Sequence, residues 1–160
     1  MFPELLMPRH PIDKSIESMM VLINNMGMES FMHDNLDSEL CAKYPMLYKD
    51  RQGQPSKTSM CWGFKCNDGW YKIIDELSAN LTSYAESINI DLTATVVKEK
   101  FGALTFGVDF IDEIISGFIQ AAYVQTRITC EMCGETGSRK QKYGWVKIVC
   151  PKCAKELGYV

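Results

Sequence analysis

Two cysteine pairs near the end of the chain constrain its fold more than any other feature. They are Cys130-Glu131-Met132-Cys133 and Cys150-Pro151-Lys152-Cys153, with 16 residues between them. That spacing is the one expected of a four-cysteine zinc site. Zinc takes four soft ligands in a tetrahedron, and each Cys-x-x-Cys turn delivers two sulfurs from one tight bend. A closed four-thiolate site leaves no position for water or substrate, so one structural Zn²⁺ is expected as the cofactor. Gly134 relieves the turn after the first pair. Residues 144–149 read as a strand, and residues 154–157 can begin a short helix. Knuckle, hairpin, knuckle and helix is the order of a treble-clef or zinc-ribbon unit, expected over residues 129–160.

At 160 residues the chain has room for one main domain beside this small unit. Hydrophobic residues make up 46% and charged residues 23%, an ordinary globular balance. No apolar run approaches the roughly 18 residues of a membrane span. The start, Met1-Phe2-Pro3-Glu4, lacks the basic and apolar regions of a signal peptide. Seven cysteines, four of them in metal spacing, fit a reducing compartment better than a disulfide framework. The expected location is the cytoplasm, with no membrane partner.

The net charge of −3 is unevenly spread. From Arg127 onward seven bases face three acids, which leaves the tail at +4 and the remainder at −7. Between the cysteine pairs, Arg139, Lys140, Lys142 and Lys147 stand beside Tyr143 and Trp145. Basic and aromatic residues on one hairpin can neutralise phosphates and stack on bases, so these six are the candidate nucleic-acid or partner-binding residues.

Upstream, Ile12, Ile16, Met19, Met20, Ile23 and Met26 recur at helical spacing before Gly27, which predicts a helix over 12–27 within an amino-terminal extension, 1–36. Its methionines make an adaptable apolar face. A core domain is expected over 37–128. It opens with a helix from Asp37 or Ser38 that ends before Pro45, followed by an exposed loop over 49–59 carrying Lys49, Arg51 and Lys57. Asp68 is a candidate N-cap for a helix from Gly69 or Trp70 to about Asn89. Residues 93–108 are rich in β-branched and aromatic residues around Phe101-Gly102, the pattern of a β-hairpin. A last long helix, 111–128, carries Ile111, Ile114, Ile115, Phe118, Ile119, Ala122 and Tyr123 as its core stripe. The fold class is therefore α+β, a mostly helical domain with one β-hairpin and a carboxy-terminal zinc unit.

Cys61 and Cys66 read as buried structural thiols, with a second metal site from Cys61, Cys66 and His33 or His10 as the weaker alternative, and the sequence assigns no role to Cys41. Trp62, Phe64, Trp70 and Tyr71 could line a pocket for a nucleotide signal, or pack as core. The two histidines occupy no catalytic setting, and no nucleophile elbow, phosphate loop or metalloprotease helix is present. The chain is expected to be non-enzymatic.

Three phrases carry a resemblance: Gly69-Trp70-Tyr71 at a helix start, Val97-Lys98-Glu99-Lys100-Phe101-Gly102-Ala103-Leu104-Thr105-Phe106, and the cysteine pairs. Over about residues 40–155 the chain resembles a family of small proteins common in tailed bacteriophages and prophages. Many members end the second knuckle in Cys-x-x-His, whereas Cys153 stands here. The family has no assigned activity, so the resemblance implies a setting, an infected bacterial cytoplasm. There a protein of this kind would bind a host protein such as a defence complex, with nucleic acid or a nucleotide signal as alternative targets. Nothing in the sequence sets an oligomeric state.

Overall fold

The computed structural model describes residues 30–160. The expected helix over 12–27, its methionine face and His10 lie outside the described residues. Helix α1 spans Asp34–Lys43, three residues earlier than its expected start. Asp34 and Asp37 in its first turn favour the positive helix end. Short 3₁₀ turns follow at Lys49–Gln52, Met60–Trp62 and Asp68–Trp70. Helix α2 (Tyr71–Ser87) then leads to the hairpin β1 (Ala94–Lys100) and β2 (Ala103–Val108), and helix α3 (Glu113–Thr126) follows. A second antiparallel hairpin, β3 (Ser138–Lys142) and β4 (Trp145–Val149), precedes helix α4 (Pro151–Leu157). No helix among the described residues is long and apolar enough to cross a membrane.

The main core gathers where the apolar periods of these elements converge. Leu40, Met60, Phe64, Trp70, Ile74, Leu81, Val97 and Ile115 are all buried in it. Burying side chains of this size contributes roughly 1.5–3 kcal/mol each. Tyr48 sits edge-on to Phe64, with ring centroids 4.9 Å apart. A smaller core holds Val149, Ala154 and Tyr159 around the cysteines.

Several expected details are corrected. Asp68 does not cap α2: its carboxylate takes the backbone N–H of His33 at 2.9 Å and pairs with the His33 ring. The segment 49–59 is not wholly a free loop. Arg51 Nε donates to both carboxylate oxygens of buried Asp37, at 3.0 and 3.2 Å, and Nη1 donates to the Cys61 carbonyl. That pairing withdraws Arg51 from any exposed basic element. In the stripe of the last long helix, Ile115 and Ala122 are buried, but Ile111 and Ile114 are exposed. The helix starts only at Glu113, and Ile111 precedes it. Asp112 caps α3 by accepting the Ile115 N–H at 2.8 Å.

Candidate metal centre and hairpin surface

The first cysteine pair lies just beyond α3, whose end is tied down before the chain turns. Thr126 Oγ1 accepts the Leu104 N–H at 3.2 Å and donates to the Tyr123 carbonyl at 2.8 Å. The knuckle then closes on itself. Gly134, at φ 81°, donates its N–H to the Cys130 carbonyl at 2.9 Å. The left-handed conformation there suits glycine. The second pair sits in the first turn of α4, with Pro151 where its missing N–H costs nothing. A knuckle, a hairpin and a helix whose first turn supplies two ligands is the treble-clef arrangement.

All four sulfurs lie within 4.8 Å of one another. Cys133 and Cys150 Sγ are 3.7 Å apart, and a tetrahedron with Zn–S bonds of about 2.3 Å has edges of about 3.8 Å. Cys130, Cys150 and Cys153 are buried and Cys133 is exposed. The Cys153 N–H donates to Cys150 Sγ at 3.4 Å and holds that thiol below its ordinary value, at about 7. That thiol is about half thiolate at neutral pH, while Cys153, through burial, and Cys133 are held above the ordinary value, so a bound cation would have to draw off their protons. The donor set, its spacing and its burial therefore fit a metal ion. Among the described residues this is the one cluster of histidine, cysteine or carboxylate groups close enough to hold one.

The other cysteines are placed differently. Burial raises the Cys66 thiol well above its usual range, and burial, with Asp37 beside it, pushes Cys41 up to about 11. Both are protonated, unreactive thiols at neutral pH. Among the described residues, Cys61, Cys66 and His33 do not come close enough together to hold a metal.

The metal unit is welded to the main domain by Asn67, Gly69 and Trp70, with Glu131 as the hub. Glu131 is fully buried, at 0% exposure. Its Oε1 accepts from Asn67 N at 3.1 Å and Asn67 Nδ2 at 3.0 Å, while Oε2 accepts from Lys147 Nζ at 2.7 Å. The Lys147 ammonium also donates to Ser30 Oγ at 2.6 Å. The Gly69 N–H donates to the Glu131 carbonyl at 2.8 Å, and the Trp70 indole N–H to the Thr129 carbonyl at 3.0 Å. Thus the Gly-Trp phrase that begins α2 is the socket for the first knuckle. A methyl group on Gly69 would run into the carbonyl oxygens of Cys130 and Glu131. Gly69→Ala should therefore destabilise the chain by about 3 kcal/mol or more, the upper range of overpacking, because the obstacle is backbone that cannot rotate away. Urea denaturation of the two proteins measures the difference.

One expected surface residue is corrected by this weld. Lys147, only 4% exposed, faces Glu131 and not a partner. Its neighbours Val146, Ile148 and Val149 are apolar, so its strand is largely buried and a charge there needs a buried partner. The other five residues separate into two groups. Arg139, Tyr143 and Trp145 are exposed. Lys140 is half-buried, and Lys142 is half-buried with its ammonium on the Leu157 carbonyl at 2.7 Å. The outer edge of β3 pairs with the chain's last residue. The Gln141 N–H donates to the Val160 carbonyl at 2.9 Å, and the Val160 N–H donates back at 3.1 Å. On the other side, the Glu131 N–H donates to the Ile148 carbonyl of β4.

The four aromatics considered as a pocket wall do not assemble into one. Phe64 and Trp70 belong to the core, Tyr71 is half-buried with its hydroxyl on Glu39, and Trp62 is exposed. No protein-family model, curated protein or solved structure matches the chain, so its function is argued from the site itself.

Proposed function

We propose that the chain is a non-enzymatic binding protein in which one structural zinc ion on Cys130, Cys133, Cys150 and Cys153 holds the β3–β4 hairpin as a contact surface. The observation that carries this reading is the closed cluster of four sulfurs within 4.8 Å of one another. Four thiolates complete a tetrahedron, so the ion supplies folding energy and leaves no position open for chemistry. Tetrahedral sulfur coordination suits zinc, with iron the competitor. In this reading Arg139, Tyr143 and Trp145 are available to a partner because the metal fixes the backbone beneath them.

Metal analysis of the purified full chain should find one zinc per molecule. A chain without stoichiometric metal, or with iron in its place, overturns the zinc assignment. A folded Tyr143→Ala variant that keeps full affinity for every identified partner overturns the surface assignment.

A second reading places a protein partner elsewhere. Phe110, Ile111 and Ile114 leave apolar surface exposed where the chain enters α3. Such surface commonly marks protein contacts. In the setting implied by the phage resemblance, a host protein such as a defence complex would cover it in the bacterial cytoplasm. Ile111→Lys should then release that partner while leaving metal content unchanged.

A further inference from the structure

The chain contains one five-residue pattern, Lys-x-Lys-aromatic-Gly, twice: Lys98-Glu99-Lys100-Phe101-Gly102 and Lys140-Gln141-Lys142-Tyr143-Gly144. In each case the phrase ends one strand, and its aromatic residue and glycine form the two-residue turn of a hairpin. The flanking pairs are Lys100 opposite Ala103 and Lys142 opposite Trp145. All four turn residues have positive φ, with 53° at Phe101, 76° at Gly102, 48° at Tyr143 and 83° at Gly144.

Turns of this kind require left-handed backbone at both positions and favour Asn-Gly. A bulky aromatic side chain is an outlier there. Burial does not compensate for the strain, because Phe101 is 77% and Tyr143 89% exposed. Two independent turns thus carry the same unfavourable residue type, each with its ring in solvent. Strain maintained at an exposed position points to function.

The first tip also lies against the second hairpin. A methyl group on Gly102 would lie 3.1 Å from Val146 Cγ1 and 3.4 Å from Ile148 Cδ1, so the first tip rests on β4. Val146 and Ile148 share a face of that hairpin with Arg139, whereas Trp145 and Lys140 lie on its opposite face. Each ring has a cation near it in sequence, and Lys100 Nζ lies 5.6 Å from the Phe101 ring centroid. The one acid in either phrase is turned inward. Glu99 Oε1 accepts the Gly102 N–H at 2.6 Å, and burial raises its carboxyl above the usual range.

We infer that the paired hairpin tips form a binding platform for single-stranded nucleic acid. Unpaired bases stack on Phe101 and Tyr143, and Lys100 and Arg139 neutralise phosphates. The inference rests on the reading that the metal-held hairpin is a contact surface, and it names the partner. Exposed ring faces beside cations match a strand with free base faces, whereas a duplex hides its bases in the stack. The cations alone would serve a duplex equally well; the rings would not.

The test is fluorescence anisotropy of the zinc-loaded full chain with a 12-nucleotide oligothymidine and an oligouridine of the same length. A duplex of equal length and vesicles of anionic phospholipid are the comparison arms. Single strands should bind more tightly than the duplex. With two phosphate contacts the affinity should fall about sevenfold between 50 and 200 mM salt. Phe101→Asn and Tyr143→Asn discriminate most sharply. Asparagine is the favoured residue at this turn position, so each variant should keep or raise Tm while weakening binding about tenfold. Absence of single-strand binding at 50 mM salt overturns the inference. So does equal affinity for duplex, a preference for vesicles, or asparagine variants that bind like the parent. These failures leave the zinc content untouched, and a missing zinc ion would instead remove the reading beneath.

Discussion

Cys130→Ser should unfold more than the metal unit to which the residue belongs. On the proposed zinc assignment, removing one thiolate weakens a site of a kind whose metal supplies folding free energy of about 10–16 kcal/mol in small zinc domains. An ordinary domain has only about 5–15 kcal/mol of net stability in total. Here the loss would spread, because the knuckle is part of the main domain's packing. The carbonyls of Thr129 and Glu131 accept from Trp70 and Gly69, and the Glu131 side chain holds Asn67. The expected result is loss of bound zinc together with a large fall in Tm. The buried environment of Trp70 should be lost in the same transition, measured by tryptophan fluorescence and near-ultraviolet circular dichroism. A strong chelator should produce the same change in the parent protein. If zinc leaves and the melting of residues 30–128 is unchanged, the weld has no energetic weight.

Lys147→Met should cost about 3–5 kcal/mol, the penalty for leaving a buried charge without its partner. Glu131 would keep two hydrogen bonds from Asn67, but no cation would face its second oxygen. The double variant Glu131→Gln with Lys147→Met should recover most of the loss. The amide oxygen can still accept from Asn67, and no charge remains to be solvated. Urea denaturation of the parent, both single variants and the double variant gives the coupling directly. A Lys147→Met protein as stable as the parent would show that the ion pair contributes nothing. Nucleic-acid binding by any folded Lys147 variant should equal that of the parent, since the ammonium does not reach the surface.

Much of the fold was legible because its signals are local. Ligand spacing marked the candidate metal centre, and helical spacing of Trp70, Ile73, Ile74, Leu77, Leu81, Tyr84, Ala85 and Ile88 marked the inner face of α2, of which Ile74, Leu77, Leu81 and Ala85 are buried and Ile88 is exposed. β-branched runs around Phe101-Gly102 marked the first hairpin. The long-range pairings were not legible. Glu131 and Lys147 are separated by 16 residues in sequence and meet only once the hairpin folds back on the knuckle, so a charge count treats both as solvated. Their setting held a clue: Lys147 lies between apolar residues, and Glu131 lies between two buried or ligating positions. Asp68 matched the pattern of a helix cap, but His33, 35 residues away, competed for the same carboxylate. The repeated Lys-x-Lys-aromatic-Gly phrase was visible in the sequence. It was obscured because one copy sits in a β-branched run and the other in a charged one.

The pairing of Gln141 with Val160 limits the manner in which a partner can engage the second hairpin. A free strand edge offers a row of backbone donors and acceptors that any extended peptide can extend as a further strand. Here that edge is occupied by the chain's own last residue at Gln141, and the knuckle takes the Ile148 carbonyl on the other side. Strand addition is therefore impeded at Gln141 and at Ile148, which favours recognition through side chains at the tip. A protein that must discriminate among partners gains from this closure, since indiscriminate backbone pairing, including pairing with its own copies, is suppressed.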